Sequence, residues 1–268
     1  MDGISNLGIS NMKVAILGLG EVGSQFANDL AKLNVTVFGW DPNPKRELHP
    51  SIMFTKSNAD AVRQSEIIFS VNLSSVSEAV AKEVLPVLTP QKIYLEMNTA
   101  SPKKKISIHQ ILKPSGVQFV DLAIMAPVPP KGIFTPMLAV GSGANLFANA
   151  MSPYQLNIEV IEGEVGEAAS RKLLRSIVYK GIAAVICEGV EAGKAFGLES
   201  YIREQINSII GGKDELIDRF VEGSEVHAER RMLEMDAVVE MLEEKGIEPF
   251  LSMASRNNLE KLKNRKKG

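Results

Sequence analysis

Three glycines and an acid are the first residues whose types and spacing suggest chemistry. Gly18, Gly20 and Gly23 stand as G-x-G-x-x-G, with Leu19, Glu21 and Val22 between them. In this spacing the first glycine permits a tight turn and the second lets a pyrophosphate approach the backbone. The third lets a helix pack closely on a strand. N–H groups at the helix start then face the phosphate charge. Asp41 follows the first glycine by roughly 20 residues, the usual place for an acid that binds the adenosine ribose hydroxyls. Such an acid repels a 2′-phosphate and favours NAD over NADP. Lys45 and Arg46, a few residues on, oppose that preference.

Two polar stripes lie further along. Lys172, Arg175, Ser176, Tyr179 and Lys180 have helical spacing and share one side of a helix. Leu173, Leu174, Ile177, Val178, Ile182, Val185 and Ile186 make that helix read as largely buried. The basic stripe is then either a solvated face or one that needs an anion or an aqueous cleft. Arg175 and Ser176 are candidates for gripping a substrate carboxylate or phosphate, which arginine binds in a bidentate way. His227, Arg230, Arg231 and Glu234 form the second stripe. It reads as a self-paired surface face, with a substrate-facing wall as the alternative, His227 and Arg231 being its candidate contacts. The stiff stretch 125–130, from Met125 through Pro130, either lines the substrate site or is a strand end. A single cysteine, Cys187, leaves no disulfide framework and reads as a small core residue; no metal site is expected.

These residues need elements to position them. Apolar runs at 14–17, 35–40, 53–55, 67–72, 93–98, 117–126 and 137–141 read as strands. Helices are expected at 58–64, 75–85 and from Pro102 to just before Pro114, and Val22, Phe26, Leu30 and Leu33 mark one face of another. The alternation is βαβαβ throughout, which predicts a doubly wound parallel sheet. Beyond residue 163 the chain reads as helix. A run over 166–197 would be about 45 Å long at 1.5 Å per residue. Later helices are expected at 201–210, 215–219, 224–245 and 252–263, with Lys261 to Lys267 as a solvated basic tail. The expected fold is α/β, a Rossmann-type doubly wound parallel sheet over 12–162, followed by an all-α second domain over 163–268.

With 268 residues, 45% apolar and 23% charged, the chain can build a real core. A formal net charge of −2 argues against nucleic acid as a partner. No apolar run reaches the roughly 18 residues of a membrane span. Residues 1–11 read as a short polar extension without the features of a signal peptide. A cytoplasmic, soluble protein is expected.

The chain resembles the β-hydroxyacid dehydrogenase superfamily, which includes 6-phosphogluconate and 3-hydroxyisobutyrate dehydrogenases. The segment from Gly18 to Gly23 resembles the family's cofactor turn, with Leu19, Glu21 and Val22 among its contacts. Asn72-Leu73 stands where the family places a loop next to the nicotinamide ribose. Glu96-Met-Asn98-Thr99-Ala-Ser101-Pro102 resembles the D-x-S-T-x-S-P segment, and Gly166-Glu-Ala-Ala-Ser-Arg-Lys172 the start of the helix with the catalytic lysine. The resemblance implies that Lys172 is the general acid/base and that Asn98 and Thr99 border the cofactor. Two positions depart from the pattern. The D-x-P-V-S-G-G motif is here Asp121-Leu-Ala-Ile-Met125-Ala-Pro127, and Arg175 replaces an expected asparagine. His227-Ala-Glu-Arg230-Arg231-Met-Leu-Glu234-Met235 resembles an outlying, 6-phosphogluconate dehydrogenase-like branch.

The function expected is hydride transfer between NAD or NADP and a small, anionic hydroxy acid or its keto counterpart, in a homodimer. Two alternatives stay open: an imine reductase on the same scaffold, with Lys172 or Tyr179 as proton donor, and a non-catalytic dinucleotide-binding redox sensor.

Overall fold

The computed structural model describes residues 12–211 and 214–265. The extension read at 1–11 and the last lysines of the basic end lie outside them. Among the described residues, eight strands form one sheet: β1 (Lys13–Leu17), β2 (Thr36–Trp40), β3 (Met53–Phe54), β4 (Ile67–Ser70), β5 (Ile93–Glu96), β6 (Gln118–Ile124), β7 (Met137–Val140) and β8 (Ile158–Val160). Their order is β3-β2-β1-β4-β5-β6-β7-β8. The order reverses direction between β1 and β4, and ligands of such sheets bind beyond the strand ends at that switch point.

Alternation of side chains along each strand explains the apolar runs. Val14 and Ile16 of β1 pack on one face with Phe26 and Leu30 of α1 (Glu21–Lys32). Ala15 and Leu17 face the opposite layer. There they meet α2 (Asn58–Arg63), α3 (Ser77–Val84) and α4 (Pro102–Leu112), through Ala61, Val62, Ala81, Val84, Ile108 and Leu112. A strand covered on both faces has no solvent side to mark with polar residues.

The expectation of parallel pairing throughout fails at one place. β7 runs antiparallel to β6, with Asp121 opposite Val140 and Ile124 opposite Met137. The link between them, residues 125–136, carries no crossover helix, and parallel strands need one. α5 (Ala144–Met151) then supplies a crossover, and β8 lies parallel to β7. Neither α5 nor β8 is marked by the apolar pattern of the sequence. One is a helix of 8 residues and the other a strand of 3, too short to impose a period.

Among the described residues five helices follow: α6 (Glu167–Ala195), α7 (Glu199–Ile210), α8 (Asp214–Val226), α9 (Ala228–Glu243) and α10 (Phe250–Arg265). The chain divides into two compact units, Met1–Lys172 and Leu173–Gly268, so the division falls inside α6. In the second unit, Leu173 packs with Met232, Met235, Val238, Met241 and Leu259. Ala183, Ile186 and Val190 pack with Ile206, Ile217 and Phe220.

Three expectations for this half are corrected. α6 is buried on one side only; Leu174, Val178 and Val185 are 54%, 62% and 70% exposed. Apolar type marked the helix correctly, but apolar residues also cover its outer side. The single helix expected at 224–245 is two, because His227 (φ −110°, ψ 23°) leaves the helical region ahead of α9. The described part of the basic end is not a free tail. It continues α10 as far as Arg265, where Lys261 and Arg265 pair with Glu191 and Lys263 pairs with Glu229.

Candidate functional site

The glycine turn joins β1 to α1, and each of its glycines meets a different requirement. Gly18 has φ +99°, and a Cβ there would lie 2.8 Å from Val71 O. A Cβ on Gly23 would lie 1.9 Å from Gly18 O, so only glycine lets α1 pack this close. A Cβ on Gly20 would meet nothing within 4 Å among the described residues, which leaves its backbone open. Gly20 precedes α1, and among the described residues no side chain caps that helix start. Its orphan N–H groups, together with the open approach at Gly20, fit a pyrophosphate. Asp41 stands just after β2. Its Oδ2 accepts from Leu19 N and its Oδ1 from Asn43 N, both at 2.8 Å. Asp41 is thus held beside the turn.

A second group of expected residues gathers at the ends of β4 and β5. Asn98 Nδ2 donates to Asn72 Oδ1 at 3.2 Å, and Asn72 Nδ2 donates to Ser70 Oγ at 3.1 Å. Leu73 next door is exposed. The turn and this network touch, since a Cβ on Gly18 would lie 2.9 Å from Asn72 Cα. The Lys172 amine donates to Thr99 Oγ1 at 2.8 Å. The structure therefore brings Asn72, Asn98, Thr99 and Lys172 together across three segments of the first unit. Asn98 Oδ1 is buried and takes no hydrogen bond among the described residues. Met125 lies at the end of β6, half-buried, against the cluster of Ala123, Leu138 and Ala168.

Beneath these residues lies a cluster the sequence analysis missed. Lys105, on α4, is 1% exposed. Its ammonium donates to Glu96 O at 2.6 Å and lies 3.4 Å from Asp121 Oδ1 and 3.7 Å from Glu96 Oε1. Glu96 and Asp121 are register partners on β5 and β6, both fully buried. Burial pushes the Glu96 carboxyl above the usual carboxylate range, while the Lys105 charge and the Asn98 hydrogen bonds pull it back. A signal was present: Lys105, Ile108 and Leu112 share the buried face of α4, at i, i+3 and i+7. It was hidden in a run of three lysines.

In the second unit the other stripe residues surround Glu234. Ser176 is buried and its hydroxyl donates to Glu234 Oε1. Lys180 pairs with the same oxygen at 2.8 Å. Burial lowers the pKa of Lys180 and Glu234 raises it. Arg231 is buried, donates to Ser224 Oγ at 2.9 Å and lies 5.8 Å from the Tyr179 ring centroid. The expectation of a surface face for this stripe is corrected, because Arg231 and Glu234 are interior. Their partners come from α6 and α8, which the spacing within one helix does not reveal. His227 is half-buried at the α8–α9 junction, and Arg175 and Arg230 are exposed. Cys187 is half-buried, with Sγ 3.7 Å from Phe220 O.

Comparison with known proteins agrees with this fold. Residues 13–128 match the NAD binding domain of 6-phosphogluconate dehydrogenase, and residues 194–262 match a domain of unknown function, DUF1932. An uncharacterized 28.5 kDa protein of Methanothermus fervidus is 29% identical over 252 residues, covering 92% of this chain and 97% of that one. A conserved protein of unknown function, described as structurally similar to 3-hydroxyacid dehydrogenases, superposes with a TM-score of 0.72 at 28% identity, over 94% and 97% of the two chains. An imine reductase from Myxococcus stipitatus, in complex with NAD+, shares the fold with a TM-score of 0.58 at 18% identity, over 95% and 94%.

A dinucleotide turn on a Rossmann sheet, followed by a helical domain, places the chain in the class of nicotinamide-dependent oxidoreductases. By these matches the chain is similar to the β-hydroxyacid dehydrogenase superfamily, with a second domain similar to DUF1932. No helix among the described residues is long and apolar enough to cross a membrane.

Proposed function

We propose that the protein transfers a hydride between NAD(P) and a small hydroxy acid or its keto counterpart, with Lys172 as general acid/base. The observation that supports this most is the 2.8 Å contact between the Lys172 amine and Thr99 Oγ1, beside Asn98 and Asn72. Bound nicotinamide would supply the hydride chemistry. The chain's part is to hold and to move a proton. Residues 18–23 hold the pyrophosphate, Asp41 the adenosine ribose, and Asn72, Leu73, Asn98 and Thr99 border the nicotinamide ribose. Lys172 takes the proton of the substrate hydroxyl in oxidation and returns it to the carbonyl oxygen in reduction. Met125 and Arg175 are the proposed substrate contacts, with Ser176, His227 and Arg231 as further candidates.

Following NADH absorbance across carboxylic and phosphorylated alcohols finds an accepted substrate. With it, Lys172→Met should lower turnover by about 10² to 10⁴, the range for losing a positioned acid/base group. NADH affinity should persist, because the glycine turn and Asp41 are untouched. Turnover equal to wild type would make the lysine structural. The imine reductase shares this fold, so cyclic imines belong in the same panel. Their reduction without oxidation of any hydroxy acid would favour that second reading. Tight NADH binding with no turnover on either class would favour a non-catalytic sensor.

A further inference from the structure

We propose that Lys105 is a positioning residue that fixes the Lys172 amine against Thr99. Its relevance to catalysis rests on the reading of Lys172 as acid/base; its physical basis does not.

A buried ammonium is stable only when paired and hydrogen-bonded. Lys105 meets that requirement by bridging two neighbouring strands, through Glu96 on β5 and Asp121 on β6. Each acid has a second task. Glu96 Oε1 accepts from Asn98 N at 3.2 Å and from Asn98 Nδ2 at 2.8 Å, which pins the loop that presents Thr99. Asp121 Oδ2 accepts from Gly166 N at 3.0 Å and from Ala169 N at 3.2 Å. Those are orphan donors at the start of α6, so a strand residue distant in sequence caps the helix that carries Lys172. Lys172 follows Ala169 by about 4.5 Å of helix rise.

One ammonium therefore ties down both ends of the Lys172–Thr99 contact. A charge pair placed only for stability has no need to hold both the loop and the helix start. Positional tolerance is small, since a misplacement of about 1 Å can reduce a rate roughly 10²-fold.

Competitive labelling of the full chain with an amine-reactive ester, resolved by peptide mass spectrometry, tests this without a substrate. In Lys105→Met, Lys172 should label roughly tenfold or more faster relative to Lys92 and Lys180, the factor for losing one charge-assisted hydrogen bond. An unchanged Lys172 rate in the folded variant overturns the proposal. So does a joint rise of all three lysines, which reports general loosening. Removing one partner of a buried pair is strongly destabilising. If Lys105→Met does not fold, Asp121→Asn keeps the shape and removes the charge. The same selective rise, at about threefold for a weakened bond, is then expected, and its absence overturns the proposal. Lys172→Met turnover is read separately. Wild-type turnover there, with selective labelling intact, rejects the acid/base reading and leaves the positioning role standing.

Discussion

Each carboxylate oxygen of Asp41 already accepts one backbone N–H, from Leu19 or Asn43. An ionised carboxylate offers about four acceptor positions, so two remain for ribose hydroxyls. A 2′-phosphate would put like charges together, at a cost of several kcal/mol. Lys45 and Arg46 are exposed and have freedom to counter it. The expected outcome is NADH binding tighter than NADPH by roughly tenfold or more, with Asp41→Ala narrowing the ratio. Dissociation constants from nucleotide fluorescence decide it. Tighter NADPH in the wild type would show that Asp41 does not meet the ribose.

At the scale of elements, the β1–α1 joint is the least tolerant of added volume. Gly23 is the third residue of α1, and helix propensity alone would favour alanine there by about 1 kcal/mol. The Cβ would, however, lie 1.9 Å from the Gly18 carbonyl oxygen, a backbone atom that cannot swing away. Overpacking of that kind costs typically about 1–3 kcal/mol, and here the displaced element also carries the phosphate-facing N–H groups. Gly23→Ala should therefore lower the melting temperature and weaken NADH binding together. A variant that melts higher and binds NADH normally would mean that propensity wins and that α1 can retreat freely. α6 has the opposite character. Its first turn is fixed by Asp121, while its outer side carries exposed apolar residues.

For the whole molecule, that outer side predicts association. Leu174, Val178, Ile182 and Val185 recur at helical spacing and are all more than a third exposed. Contiguous apolar surface of this kind marks interfaces, and a second copy of the chain is the expected occupant. Sedimentation at micromolar concentration should give a dimer, and Val178→Lys with Val185→Lys should shift it to monomer. A monomeric wild type would reject the prediction.

The local elements were legible because their signals are local. The glycine spacing, the apolar runs of β1 and β4 and the long helix starting near Gly166 follow from chain geometry over a few residues, and the structure has each of them. Spacing put Lys172 on a basic stripe and resemblance singled it out there; its contact with Thr99 joins segments 73 residues apart. Short elements escaped, as β8 and α5 show, because three or eight residues carry too little pattern. Most of all, tertiary structure decided which charges are interior. Lys105 in a lysine run, and Arg231 and Glu234 on an apparently polar stripe, look like surface residues one helix at a time. Burial of a charge depends on partners from other elements. Glu96 and Asp121 supply them for Lys105, Lys180 and Ser176 for Glu234, and Ser224 for Arg231. No period within one helix encodes where those partners will stand.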